Sequence, residues 1–492
     1  MSPRLTALAR LPEGVRRPDY EPAAHGAGIV HLGLGAFHKA HQAVYTDDAL
    51  GERGGDWRIT GVSLRSAEPA AALTPQNGLY TVIEKSAAGT DARVIGAIAR
   101  ALCLPTERQA VLDALADPAT RIVSLTVTEK GYGIDRATGG IDRAHPAIAA
   151  DLANPAEPQG VAGLLVQALG RRRAAGVPPF TVLSCDNLPE NGHMLRALLI
   201  DFAREAAPGL AEHVADEVAF PCTMVDRITP ASTEATLAEA ERLTGFRDAA
   251  AVEAEAFRQW VIEDRFPTGR PAWEEGGAIF VGDVRPYEEM KLRMLNGAHS
   301  MLAYSGFLAG HAYVRDVMAD PALVRLVERH LAAAARTLKP LKGVAFVDYA
   351  RELAERFANP HLAHQTYQIA MDGTEKLPQR ILGAARDAAR AGQPLDAFAF
   401  ATAAWMRYAL GRSETGEAFE LRDPRQAEIR AGLRGADGAG EIAARLHALP
   451  GLFPSELAGS ADWTAAVTRR LATMLEDGMR AAIDREAEGL GG

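Results

Sequence analysis

At 492 residues the chain is longer than a single hydrophobic core usually grows, so two domains are expected. Hydrophobic residues make up 48% and charged residues 24%, which excludes a disordered or fibrous chain. The net charge of −10 leaves no overall basic face for nucleic acid or an anionic membrane, although a local basic pocket remains compatible with it. Three cysteines, Cys103, Cys185 and Cys222, are too few and too scattered for a disulfide framework or a zinc cage. They read as reduced thiols. No apolar run has the length of a signal peptide or a membrane span, so a cytoplasmic protein is expected.

From Gly28 to about Arg285, short β-rich runs alternate with helical periodicity, the pattern of a parallel sheet covered by helices. Expected strands lie near residues 28–32, 57–64, 79–84, 121–128, 180–185 and 278–284, and expected helices near 38–50, 107–116, 160–175 and 191–206. From about Pro286 the strand signals stop and amphipathic periodicity continues to the end. The expected fold is therefore α/β: a Rossmann-type dinucleotide-binding domain over 1–285, then a mainly α-helical substrate and catalytic domain over 286–492.

The first strand runs into Gly33-Leu34-Gly35-Ala36-Phe37-His38 and then a helix-compatible segment. In that context the first glycine makes the tight turn, the second lets the backbone approach a pyrophosphate, and the helix start faces the anion. His38 stands where a third glycine is usual, so the turn by itself is also compatible with a plain structural one. After the second strand, Glu68 is the candidate for the adenosine ribose hydroxyls, favouring NAD over NADP. Arg65 nearby is the competing candidate for a 2′-phosphate, and both residues also read as solvated loop charges.

The segment 288–302 reads as a helix buried on most sides. At 100° per residue, Asn296 lies 140° and His299 80° from Lys291, so three polar groups project from one side among Met294, Leu295, Ala298, Met301 and Leu302. A lysine among apolar neighbours has its charged form disfavoured, which suits it to proton transfer near neutrality. An asparagine beside it donates to a developing alkoxide, and a histidine orients substrate. The alternative is a snorkelling lysine beside a core asparagine and histidine.

The stretches 33–47, 123–132, 184–192, 220–230 and 290–300 together resemble the polyol-specific long-chain dehydrogenase and reductase family, along the whole chain. The last matches the family's Lys-x4-Asn-x2-His signature, and Gly33, Gly35, Phe37 and His41 match its first motif, in which a third glycine is normally absent. The resemblance implies an NAD(H) enzyme needing no metal, with its site between two domains. It implies Lys291 as general acid/base, Asn187 and Asn296 as the oxyanion hole, and His299 as the group positioning substrate and lysine. Gly33, Gly35, Ala36 and Phe37 would face the cofactor, with Glu68, Thr126, Glu129 and Asp226 around its pocket. Glu288 is similar to a polar group of the family's substrate side.

For substrate, the stretch 365–380 is more similar to the fructuronate-reducing branch than to the mannitol-oxidising one, where an arginine tends to take the place of Gln368. A uronate carboxylate needs a cation in a partly desolvated pocket, and Lys376 and Arg380 are the candidates. The expected reaction is D-fructuronate with NADH to D-mannonate, with mannitol or arabinitol oxidation as the second reading and a non-catalytic nucleotide sensor as a remote third. Small molecules are the only expected partners of a monomer or weak homo-oligomer.

Overall fold

The computed structural model describes residues 2–489 except 136–137, 342–343, 361–363 and the side chain of Glu129. The chain separates into two compact units, Met1–Arg285 and Pro286–Gly492.

The first unit is built on a five-stranded, fully parallel sheet. Its strands are β1 (Ala27–Leu32), β2 (Arg58–Ser63), β3 (Ile98–Cys103), β4 (Ile122–Leu125) and β5 (Thr181–Ser184), in the order β3-β2-β1-β4-β5. This is the doubly wound order in which the strands on either side of β1 diverge and a crevice opens at their carboxyl ends. Both faces of the sheet are buried, as a parallel sheet requires. Val30, Leu32, Val62, Val123 and Val182 pack on one side with Leu164, Leu165, Leu195 and Leu199 from the helices Val161–Ala174 and Asn191–Ala206. Ile29, Ile59, Ile122 and Leu183 pack on the other with Val44 and Leu50 from the helix Gln42–Arg53.

Strand β3 is not among the strands expected from sequence. Alanine and arginine in Ile98–Cys103 carry little β preference, and the segment becomes a strand because β2 offers it a parallel edge. Two further sheets complete the unit, one ordered 15–16, 89–95, 80–86, 252–255 and one ordered 279–281, 259–263, 223–226.

In the second unit the described residues form helices and no strand longer than an isolated bridge. Two central helices, Gly297–Leu308 and Asp396–Ala409, are apolar nearly all round and pack against each other. Amphipathic helices such as Pro321–Arg336 and Ala461–Glu476 cover them. No helix among the described residues is long and apolar enough to cross a membrane.

The core of the first unit contains three buried histidines. His31 meets the hydroxyls of Ser124 and Thr126, each at 2.8 Å, and its ring stacks on His38 at 3.4 Å. Burial pushes His31 and His41 down to about 3 and holds His38 well below the usual imidazole range. The native state therefore keeps all three neutral while the unfolded chain takes up protons below about pH 6.5. Stability is fully present above that pH and falls as pH drops toward 3, by at most about 1.4 kcal/mol per pH unit for each histidine. Urea unfolding followed at pH 7 and pH 5 should show a clearly lower midpoint at pH 5; an unchanged midpoint would mean that these rings are not held neutral.

Candidate active site

The glycine turn sits where β1 ends. Gly33 has φ +107°, and a Cβ there would lie 2.1 Å from the Thr126 carbonyl, so only glycine lets β1 and β4 close at this point. Thr126 returns its hydroxyl to the Gly33 carbonyl at 2.8 Å. Gly35 is a different case. Its φ is −109°, and an added Cβ would meet nothing nearer than the Gly33 carbonyl at 3.7 Å. Packing within the chain does not demand glycine at 35, whereas the close backbone approach of a pyrophosphate does. The helix Ala36–Ala40 starts directly behind it and contains Phe37, so the four residues fit a dinucleotide phosphate. The missing third glycine is explained by the His31–His38 stack, which lets the helix approach the strand through two flat rings.

The loops after β4 and β5 are tied together by Asp186, a residue that sequence reasoning passed over in favour of its neighbour Asn187. Its carboxylate accepts from Val127 N at 2.9 Å, Thr128 N at 3.0 Å and the Tyr132 hydroxyl at 2.6 Å. These bonds hold Thr128 at φ +69°, a strained conformation for a threonine, immediately before Glu129. Burial raises the Asp186 carboxyl above its ordinary range, while Tyr132 and the two amides pull it back. A carboxylate at the end of a buried strand must find donors, and that was the available signal.

Asp226 is buried at the end of the strand Thr223–Asp226. It is not the partner of neighbouring Arg227, whose guanidinium pairs with Glu84 at 2.6 Å. Glu68 and Arg65 are both exposed just beyond β2, Glu68 opening the helix Glu68–Leu73. The side chain of Glu129 lies outside the described residues.

In the second unit, Lys291, Asn296 and His299 are buried, at 6%, 7% and 6% exposure. The uniform helix expected from sequence is corrected here: Lys291–Asn296 is a π-helical turn between the α-helices Arg285–Met290 and Gly297–Leu308. Gly297 N donates to Leu292 O, the i→i+5 bond of that geometry. In an α-helix Lys291 and Asn296 would lie 140° apart, whereas i→i+5 bonding brings residues five apart onto one face. A second π turn, Pro378–Leu382, packs against the first, and a Cβ on Gly297 would lie 2.7 Å from the Arg380 carbonyl. Such turns concentrate at functional sites.

Asn296 Nδ2 and His299 Nε2 are buried with no hydrogen-bond partner among the described residues, a status that core atoms such as the ring nitrogens of His38 and His330 share. His299 packs on Phe357 with ring centroids 4.3 Å apart. Burial first, then His364, Arg356 and Arg380, keep it well below the usual imidazole range, so it is neutral. Arg380 Nη1 donates to Ser300 Oγ at 3.3 Å, and no carboxylate among the described residues lies at ion-pair distance from it. Lys376 is already engaged: it donates to Met371 O at 2.6 Å and Ile369 O at 3.3 Å, with Asp372 at 3.6 Å. Gln368 is exposed on the helix Thr366–Ala370, and Glu288 is half-buried one turn before Lys291.

A dinucleotide sheet followed by a helical unit carrying buried lysine, asparagine and histidine defines a nicotinamide-dependent oxidoreductase. The chain belongs to the mannitol dehydrogenase family: residues 27–275 match the mannitol dehydrogenase Rossmann domain and residues 283–475 the mannitol dehydrogenase C-terminal domain. It is an NAD-dependent oxidoreductase of the polyol and sugar-acid class. It is 47% identical to the uncharacterized oxidoreductase YdfI of Escherichia coli K12, over 95% of this chain and 96% of that one. It is 44% identical to the D-mannonate oxidoreductase of the same organism, over 95% and 97%. Among solved structures it resembles the ternary complex of Pseudomonas fluorescens mannitol 2-dehydrogenase with NAD and D-mannitol, with a TM-score of 0.84, 38% identity and coverage of 99% and 100%.

Because Gly35 is not required by packing, Gly35→Ala should leave the melting temperature unchanged and weaken NADH binding about tenfold or more. Calorimetric titration beside a thermal melt tests both, and undiminished affinity would remove Gly35 from the cofactor site.

Proposed function

We propose that this enzyme reduces D-fructuronate to D-mannonate. The observation that carries the reading is Arg380, a guanidinium desolvated by burial, one hydrogen bond from the helix of Asn296 and His299 and with no carboxylate of the described chain beside it. A uronate brings the carboxylate that such a cation lacks. Similarity to a D-mannonate oxidoreductase supports the same choice. Of the two cations singled out by sequence, Lys376 is the weaker candidate, since backbone carbonyls and Asp372 occupy it.

Bound NAD(H) supplies the hydride donor in reduction and the acceptor in oxidation. Lys291 gives its ammonium proton to the substrate oxygen in reduction and takes it back in oxidation. The Asn296 amide, whose Nδ2 has no partner among the described residues, donates to the oxygen as negative charge grows on it, and Asn187 is the second donor. Neutral His299 orients a substrate hydroxyl through Nε2. The Gly33–Phe37 turn, Thr126, Glu129, Asp226 and Glu68 belong to the cofactor side, and Glu288 and Gln368 to the substrate side. No metal takes part in these steps. Oxidation releases a proton, so it is favoured by alkaline pH.

Purified protein should consume NADH much faster with D-fructuronate than with D-fructose at neutral pH; preference for fructose would make it a mannitol-type dehydrogenase and leave Arg380 without its role. Arg380→Met should lower kcat/KM for fructuronate about 10- to 100-fold, the loss of one charged hydrogen-bonded contact. Lys291→Ala should abolish turnover while NADH titration by fluorescence stays nearly normal, and simultaneous loss of both would show the lysine to be structural.

A further inference from the structure

The spacing of cysteines and histidines along the chain shows no metal-ligand pattern, yet the fold collects one. His193 lies in the first turn of the helix Asn191–Ala206, Cys222 directly precedes the strand Thr223–Asp226, and Glu263 ends the strand Gln259–Glu263. One imidazole nitrogen, the thiol sulfur and one carboxylate oxygen of these residues all lie within 4.8 Å of one another.

The surroundings build this meeting. The antiparallel ladder pairs Ile262 with Thr223, which sets Glu263 beside Cys222. Glu263 N donates to Cys222 O at 3.0 Å, and Cys222 N donates to Glu263 Oε2 at 3.0 Å, so the carboxylate is held by one oxygen. From the other side, Asn191 grips the same strand: its Nδ2 donates to Thr223 O at 3.0 Å and its Oδ1 accepts from Thr223 N at 2.9 Å. Gly192 allows the approach, since a Cβ there would lie 2.6 Å from Phe220 O and 2.7 Å from Pro221 O. The helix start is thereby pressed onto the segment 220–223, and His193 comes to Cys222.

The access suits a cation. Cys222 and Glu263 are buried, at 1% and 6% exposure, while His193 stands at the surface, giving two fixed ligands and one that can swing in. Glu190 lies 3.8 Å from His193 Nδ1, and Asp283 also faces His193. Arg285 is a cation near these groups, already bound to Asp283 at 2.8 Å and facing Glu190 and Glu263.

We propose that His193, Cys222 and Glu263 bind one zinc ion, with a fourth position left to water. Mixed sulfur, nitrogen and oxygen donors select zinc over magnesium or calcium, which take oxygen. Metal–ligand bonds of about 2.0–2.3 Å place ligand atoms about 3–3.6 Å apart, and the exposed imidazole is the ligand free to adjust to that spacing. The thiol releases its proton to solvent as the Zn–S bond forms, and nothing is oxidised or reduced. The ion would fasten the helix that follows the loop of Asp186 and Asn187 to the neighbouring sheet. It is a positioning site, and the ion takes no part in proton transfer.

The full-length protein, stripped with a chelator, should be titrated with Co²⁺ and, separately, analysed for zinc after zinc loading and desalting. One equivalent of Co²⁺ should raise a thiolate-to-cobalt absorption band, and about one zinc should remain per chain. Cys222→Ser should abolish the band. His193→Ala, at an exposed position where folding is not at stake, should weaken Co²⁺ binding at least about tenfold. Absence of the band in the parent protein, or an equal band and affinity in His193→Ala, would overturn the proposal.

Discussion

Where β1 meets β4, the space a side chain would need at residue 33 is taken by the Thr126 carbonyl, only 2.1 Å from the missing Cβ. The first unit is arranged around that contact. It lets the chain turn at φ +107° straight out of the strand, it aligns Gly35 and the following helix with the carboxyl ends of the sheet, and it gives Thr126 a carbonyl to bond. Asp186 repeats the principle one strand further on, drawing the loops after β4 and β5 together through a single carboxylate. Strain at Thr128 is the local cost, borne by a sheet that is buried on both faces.

Most of this architecture is legible in the chain itself. Period and composition locate the parallel strands and their covering helices within a few residues, because strands buried on both sides are continuous apolar runs. Ile98–Cys103 escapes, since its alanines and arginine state no preference and its conformation is decided by the edge of Arg58–Ser63, to which it pairs. The glycine turn is visible as a motif, but the reasons for its two glycines differ, and only the contact at Gly33 and the open space at Gly35 separate them.

The site residues divide in the same way. Lys291, Asn296 and His299 stand out as polar groups in an apolar helix, whereas Asp186 and Tyr132 look like ordinary loop residues until their partners are known. Ser300 and Arg380 are 80 residues apart and meet only through tertiary packing. The His193, Cys222 and Glu263 cluster is the extreme case, assembled by a ladder register, one asparagine and one glycine, none of which carries a metal-binding signature.

The π turn at Lys291–Asn296 also constrains how such a chain can change in length. A π turn accommodates one residue more than the α-helical path it replaces, so deleting any residue between the lysine and the asparagine would relax the backbone into a regular helix at little energetic cost. The same deletion would leave the lysine and asparagine four apart in a plain α-helix, about 40° from each other and still on one face. The spacing from Asn296 to His299 rests on plain α-helical geometry and carries no comparable tension. Loss of one residue is thus compatible with the alignment in the first interval, whereas in the second, from Asn296 to His299, it would turn the histidine about 100° relative to the asparagine.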